Sequence, residues 1–419
     1  MNRYQLHIGG RTVGPLIRLS ASLFSILVMS NASSGKVVIV GGAIMGSFSA
    51  WALRKAGFAG SITVVEKDQT YQCSSTALSA ASIRTQFATP TNIQMSLYGA
   101  HLFRSIQAVF GDEADIGFQE KGYLILGGPD DVAQRTAAAD MQRTHGADIL
   151  VLDPDELRAR FAGISFDGVG VGTFGAQHEG WFDAWSLLST VRRAARQLNI
   201  DYVEASVKGF ETGDAKVTSV VLSNGQRLPC DYCVLAAGAW SGRLVAPLGI
   251  DLPVVPKKRT VFCFKTPFRL SNFPMLFDVS GIWVRPEGGG FIGGIQPLPE
   301  NDGDADGDFE PQHDLLEEPF WRLLAVRIPA MEQLRLHRAW AGHYEVNTLD
   351  HNGVVGAHDE LTNLIFATGF SGHGVMHAPA VGRGVAELIT SGGYRSIDMG
   401  PLGWARIRTS TPMVEDIVY

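Results

Sequence analysis

The chain has 419 residues, 48 of them glycine, with 45% hydrophobic and 18% charged residues and a formal net charge of −7. A length of roughly two to three domains buries a large core without disulfides or metals, which excludes disorder, collagen-like structure and a small secreted scaffold. The mild acidity leaves no global basic field for a phosphate backbone, so nucleic acid is not an expected partner, and the scattered Cys73, Cys230, Cys233 and Cys263 read as reduced thiols of an intracellular protein.

Residues 1–35 form an N-terminal extension: a basic, irregular part, an apolar stretch at 19–29 and a short polar run. That stretch is too short to span a bilayer, so no transmembrane segment is expected. Three readings stand. It is a secretory signal with Asn31, Ala32 and Ser33 near a cleavage site, an Arg-rich transit peptide without acidic residues, or upstream translation ahead of a true start at Met29. The last implies a cytoplasmic protein and the second a mitochondrial one.

The first ordered unit follows. Val37, Val38, Ile39 and Val40 read as a buried strand, Gly41, Gly42, Ala43, Ile44, Met45 and Gly46 as a turn, and residues 47–56 as a helix ending at Gly57. A β-branched run at 61–65 closes on Glu66, the first carboxylate of the chain. The pattern predicts one right-handed βαβ unit. A dinucleotide-binding turn needs small residues where the chain bends, where backbone approaches the pyrophosphate and where helix meets strand. Gly41 and Gly46 fill the first and third positions and Ala43 the second. Glu66, with Lys67 beside it, accepts hydrogen bonds from an adenosine ribose, and its charge repels a 2′-phosphate.

Further along, residues 233–238 and 363–369 each read as a buried strand running into a glycine, extending the same sheet. Residues 246–340 instead carry alternating and aromatic runs at 260–265, 281–285 and 290–295 between prolines and glycines, which predicts antiparallel strands in an inserted second domain. The acidic stretch 300–310 reads as a surface loop. Gly369, Phe370, Ser371, Gly372, His373 and Gly374 precede a helical run from Val375 to 389. Their glycines allow close approach to a flat ring, and the helix start offers partial positive charge to an anionic reduced flavin.

Taken in order, residues 40–46, 74–87, 234–241, 284–294, 340–350 and 366–381 resemble the D-amino-acid oxidase and sarcosine oxidase superfamily of FAD-dependent oxidoreductases. Within it, residues 340–389 most resemble the FAD-dependent oxidoreductase domain-containing proteins, whose mitochondrial member is associated with assembly of respiratory complex I. The resemblance implies an α/β + β fold, with a glutathione-reductase-like FAD-binding Rossmann domain (36–113, 178–245 and 340–395), an inserted, mainly antiparallel β substrate domain (114–177 and 246–339) and a C-terminal tail (396–419). By position it also implies that Ser74, Ser75, Leu78 and Ser79 touch phosphate and flavin, and that Val207 lies at the adenine. Ala237, Gly238 and Trp240 then form a second dinucleotide contact, and Gly342 with residues 369–375 borders the flavin.

Departures from the family pattern modify the expected chemistry. His343 stands where sarcosine oxidases attach the flavin through cysteine, so noncovalent FAD is expected. The 290–294 segment carries no cation where those oxidases hold an oxygen-activating lysine, their carboxylate-binding lysine falls on Met376, and a substrate-side histidine falls on Gln296.

The implied reaction is hydride transfer from the C–N carbon of an amino acid or N-substituted amino acid to flavin, followed by imine hydrolysis, in a dehydrogenase rather than an efficient oxidase. The electron acceptor is a quinone, an electron-transfer protein or oxygen. A 2-hydroxy-acid dehydrogenase, and a flavin-bearing respiratory assembly factor with vestigial catalysis, are the competing functions. A carboxylate substrate calls for a bidentate guanidinium, with Arg84 first and Arg259 or Arg285 as alternatives that ordinary ion pairs also explain. His373 hydrogen-bonds flavin or packs, and Tyr344 walls the pocket or belongs to the core. No metal is expected. The Cys230/Cys233 spacing lacks a second pair, and the calcium-like Asp302, Asp304 and Asp306 lack a glutamate at the twelfth position.

Overall fold

The computed structural model describes residues 34–267 and 272–415, so the expectations for residues 1–33 lie outside the described residues. Strand Lys36–Val40 is central in a six-stranded sheet, pairing in parallel with Ser61–Glu66 on one side and Tyr232–Leu235 on the other. Leu364–Thr368 joins in parallel beyond Tyr232–Leu235. These continuous apolar runs are buried on both faces, as parallel strands require. Helices Ile44–Lys55 and Gly374–Ser391 pack together over one face, while a small sheet of Val207–Gly213, Lys216–Leu222 and Arg227–Pro229 covers the other.

Eight strands build the second sheet, in the order Arg335–Asn347, Val254–Lys265, Gly290–Gly294, Trp283–Glu287, Met275–Phe277, Tyr123–Gly127, Val171–Gly175 and Ile149–Leu152. Every pairing is antiparallel except Met275–Phe277 with Tyr123–Gly127. Assigning residues from 340 onward to the dinucleotide-binding part needs correction. Arg335–Asn347 pairs along nearly its whole length with Val254–Lys265, so residues 340–347 belong to the second sheet.

Nor do residues 396–415 trail as a tail. Arg406 is buried against Asp350 at 2.8 Å, and Glu415 accepts from the backbone nitrogen of Ala88 at 2.7 Å. Trp404 and Ile407 pack beneath the six-stranded sheet with Leu364 and Phe366.

Candidate active site

The turn after Lys36–Val40 is fixed by steric exclusion. Gly41 has φ +99°, and a β-carbon there would lie 2.2 Å from the Ala236 carbonyl oxygen; at Gly46 it would lie 1.9 Å from that of Gly41. Both positions therefore demand glycine. Ala43 is the N-cap of helix Ile44–Lys55, which has no side-chain cap and no acidic residue in its first turn, so its positive end is left for an anion. Across the turn, Glu66 accepts from the backbone nitrogen of Gly42 at 2.8 Å and that of Asp68 at 3.1 Å, which fixes the carboxylate at the strand end.

A cavity of about 390 Å³ opens beside this turn and extends to the second sheet. Of the turn and strand-end residues, Gly41, Ala43, Ile44, Met45, Glu66 and Lys67 line it, as do Ser74, Ser75, Leu78 and Ser79 of the following loop. That loop is clamped from both sides. Thr76 Oγ1 accepts from the Ile44 nitrogen at 3.3 Å, the Trp340 indole donates to the Leu78 carbonyl at 3.0 Å, and Arg285 donates twice to the Ala80 carbonyl. Val207, Ala237, Gly238 and Trp240 also line the cavity, with Lys67 Nζ 4.6 Å from the Trp240 ring centre. Gly342, Gly372, His373, Gly374 and Val375 complete the glycine-rich wall. At Gly372 a β-carbon would strike the Tyr344 ring at 2.4 Å, and at Gly342 it would meet Leu78 at 2.9 Å.

Five expected cofactor residues do not reach the cavity. Gly42 is buried with its nitrogen turned to Glu66, and Gly46 is the helix–strand contact. The Gly369 nitrogen donates to Glu345 at 3.0 Å, Phe370 packs onto Gly353, and Ser371 Oγ accepts from the Asn347 nitrogen at 3.0 Å. These three support the glycine segment from behind.

All four expected catalytic residues, Arg84, Gln296, Tyr344 and His373, line the cavity. Arg84 is 2% exposed, its guanidinium 4.0 Å from the Phe87 ring centre, donating to the Gln86 carbonyl and, at 3.1 Å, to His373 Nε2. Because guanidinium only donates, Nε2 must accept and the ring proton sits on Nδ1. Burial and the Arg84 charge hold His373 far below the ordinary histidine range, so the imidazole stays neutral. Its part is to fix Arg84 rather than to take a proton through Nε2. Tyr344 is kept protonated by burial.

Arg259 and Arg285 are already engaged as carboxylate ligands or loop clamps. Arg259 binds Asp302 bidentately at 2.7 and 2.9 Å, and Arg285 pairs with Glu287 besides clamping Ala80. Asp304 meets Lys257 at 3.1 Å, Asp306 pairs with Arg243, and Asp308 meets Lys258 at 2.5 Å. The calcium-like loop is thus a row of ion pairs, three to Lys257, Lys258 and Arg259 of Val254–Lys265 and one to Arg243 of the helix Ser241–Val245. Cys230 and Cys233 are buried free thiols, and among the described residues no group of three or more side chains could hold a metal.

Two carboxylates stand outside the sequence reading, Glu179 fully buried and Glu345 half-buried. Glu179 accepts from the Thr85 nitrogen and hydroxyl, each at 2.6 Å, and from Gln86 at 2.8 Å, bracing the segment that carries Arg84; burial pushes it up to about 7. Glu345, also raised by burial, accepts from Thr368 Oγ1 and the Gly369 nitrogen, each at 3.0 Å. Glu179 lies outside every segment that carries the resemblance, Glu345 lies inside residues 340–350, and only the assembled fold reveals their donors.

The glycine cradle, the uncapped helix start and the strand-end carboxylate fit an adenine dinucleotide, and the same cavity is lined by Arg84, Gln296, Tyr344 and His373. The class so defined is the dinucleotide-dependent oxidoreductase. A family model described as "DAO: FAD dependent oxidoreductase" matches residues 36–388. The chain belongs to that family, whose cofactor is FAD. It is 39% identical to "FAD-dependent oxidoreductase domain-containing protein 1" of Xenopus laevis, over 90% of this chain and 84% of that one. To human mitochondrial sarcosine dehydrogenase it is 23% identical, over 86% of this chain and 40% of that one. The fold is similar to that of L-proline dehydrogenase from P. horikoshii, with TM-score 0.79 and 26% identity, covering 91% of this chain and 100% of that one. Among the described residues no helix is long and apolar enough to cross a membrane.

Proposed function

We propose that this chain oxidises the C–N bond of an amino acid or N-substituted amino acid, with noncovalently held FAD, as a dehydrogenase rather than an efficient oxidase. The reading assigns the dinucleotide to the part built on the six-stranded sheet and the substrate to the part built on the eight-stranded sheet. Its carrying observation is the buried guanidinium of Arg84 on the cavity wall, oriented by neutral His373 and braced through Thr85 and Gln86 by Glu179. A planar cation in a water-poor site suits an α-carboxylate. Tyr123 and Tyr344, both held protonated by burial and both within the Arg84 field, are further donors to that carboxylate.

Bound FAD supplies the two-electron acceptor for the hydride of the substrate's α C–H bond. Met376, Ile295 and uncharged Gln296 line the same cavity and favour the neutral amine over the ammonium. Strand Gly290–Gly294 presents Phe291 and Ile292 and no cation, which supports a dehydrogenase by analogy with the oxidases that place lysine there. His343 donates Nε2–H to the Asp308 carbonyl at 2.8 Å and stacks on Phe309, which engages it away from covalent attachment.

The test is anaerobic bleaching of the yellow holoprotein by glycine, sarcosine, proline and lactate. Amino acids bleach it and lactate does not, and Arg84→Met raises the concentration needed by about a hundredfold while FAD stays bound. Bleaching by lactate alone, or equal response of Arg84→Met and wild type, overturns the reading.

A further inference from the structure

One face of the eight-stranded sheet carries an aromatic surface of which carboxylate binding uses only the Tyr123 hydroxyl. Tyr123 lies beside Met275 in register, and Phe277 lies opposite Trp283 on the next strand. Side chains two residues apart on a strand share a face, so Met275 and Phe277 project together. The three rings follow one another in near-parallel array. Tyr123 and Phe277 have centroids 5.2 Å apart at 11°, and Phe277 and Trp283 have centroids 6.4 Å apart at 22°.

These residues form a small apolar cluster of their own with Ile125 and Trp181, distinct from the larger core that includes Leu124, Leu276 and Val284 on the opposite face. Tyr123, Met275, Phe277 and Trp283 all line the cavity. Across from Trp283 stands Gly294, where a β-carbon would meet the Thr260 carbonyl oxygen at 2.7 Å and the indole nitrogen at 3.1 Å, so the indole lies close over the neighbouring strand. Arg84 acts on Tyr123 electrostatically, so the carboxylate anchor and the first ring of the array are neighbours.

We infer that this array is a subsite for an aryl group, and that the preferred substrate is an amino acid bearing an aromatic ring, on the α-carbon or on the nitrogen. The inference rests on the reading of Arg84 as the carboxylate anchor. A glycine-sized substrate would leave the half-buried Trp283 indole, and the cavity-lining edge of Phe277, which is 6% exposed, without an apolar partner. An aryl substituent removes that apolar surface from water and meets rings already aligned for offset stacking.

The test uses FAD-saturated protein titrated with phenylacetate and with acetate, followed by perturbation of the visible flavin spectrum and by calorimetry. Phenylacetate binds about ten- to a hundredfold tighter than acetate, and Phe277→Ala collapses the ratio toward one. Trp283→Leu, at a half-buried position, does the same in part and guards against a misfolded Phe277 variant. In bleaching experiments phenylalanine and N-benzylglycine are compared with glycine and sarcosine, which identifies the atom carrying the aryl group. Equal affinity for the two acids, or a ratio unchanged in both variants, overturns the subsite. An aryl preference in binding without bleaching by any amine leaves the subsite standing and sinks the C–N oxidation reading instead.

Discussion

Arg84 Nη2 donates to Nε2 of His373 across 3.1 Å, and both side chains are buried on the cavity wall. Since guanidinium has no lone pair to offer, the contact requires a neutral imidazole, and burial together with the arginine charge supplies one. Replacing His373 with phenylalanine takes away an acceptor from a buried charged donor, which costs about 1–3 kcal/mol. The expected outcome is a ten- to hundredfold rise in KM for the amino-acid substrate with FAD still bound. His373→Gln, which restores an acceptor oxygen, recovers part of that loss, as steady-state kinetics on the yellow holoprotein will show.

The nucleotide turn gives a graded series. Glu66→Gln keeps shape and removes charge, and loss of one charge-assisted hydrogen bond weakens FAD binding by about tenfold or more. Gly46→Ala drives a methyl group into the Gly41 carbonyl and destabilises the fold by about 1–3 kcal/mol or more. Ala43→Gly, at the one imperfect position of the turn, retains binding. Fluorescence titration of apoprotein with FAD, with urea denaturation alongside, ranks the three.

Much of this site was legible because its parts are local. The run from Lys36 to Glu66 places strand, turn, helix and carboxylate within one βαβ unit, where burial on both faces forces continuous apolar strands. Asp201–Glu204 and Val354–Ala357 escaped notice because they are short edge strands, and the Val207–Pro229 meander because its exposure dilutes the apolar signal. The resemblance divides Arg335–Asn347 at residue 340, whereas its hydrogen bonds run to Val254–Lys265 along nearly its whole length, although residues 342–345 touch the cavity. Glu179 and Glu345 were invisible for a different reason: their donors come from residues distant in sequence, and nothing local marks a carboxylate as buried.

The acidic loop separates buried from exposed ion pairs. Asp302 and Arg259 are mostly buried and bidentate, whereas Asp306 and Arg243 are half exposed. Asp302→Asn leaves the Arg259 guanidinium short of its counter-charge and lowers stability by about 1–3 kcal/mol, while Asp306→Asn changes it by about 0.5 kcal/mol or less. Added calcium leaves the melting temperature of the wild type unchanged. Differential scanning calorimetry of the three proteins, with and without calcium, checks both statements.

His377 offers the cleanest pH test. It is buried, lies 3.0 Å from the Ser96 hydroxyl, and is pulled to about 3, first by burial and then by the Arg84 charge. In the unfolded chain it titrates near 6.5. Above that pH both states are neutral and its contribution is fully present. As pH falls from about 6.5 toward 3, only the unfolded state gains the proton, so stability is lost at about 1.4 kcal/mol per pH unit. His373 acts in the same direction, while Glu179, raised to about 7, acts in the opposite one between roughly 4.5 and 7. A single denaturation curve therefore mixes the three. His377→Asn keeps a partner for Ser96 and leaves the other two groups in place, so the wild type should lose about 2 kcal/mol more than the variant between pH 7 and pH 5. Parallel urea titrations at the two pH values measure that difference, and identical losses would mean that the imidazole takes up its proton inside the fold.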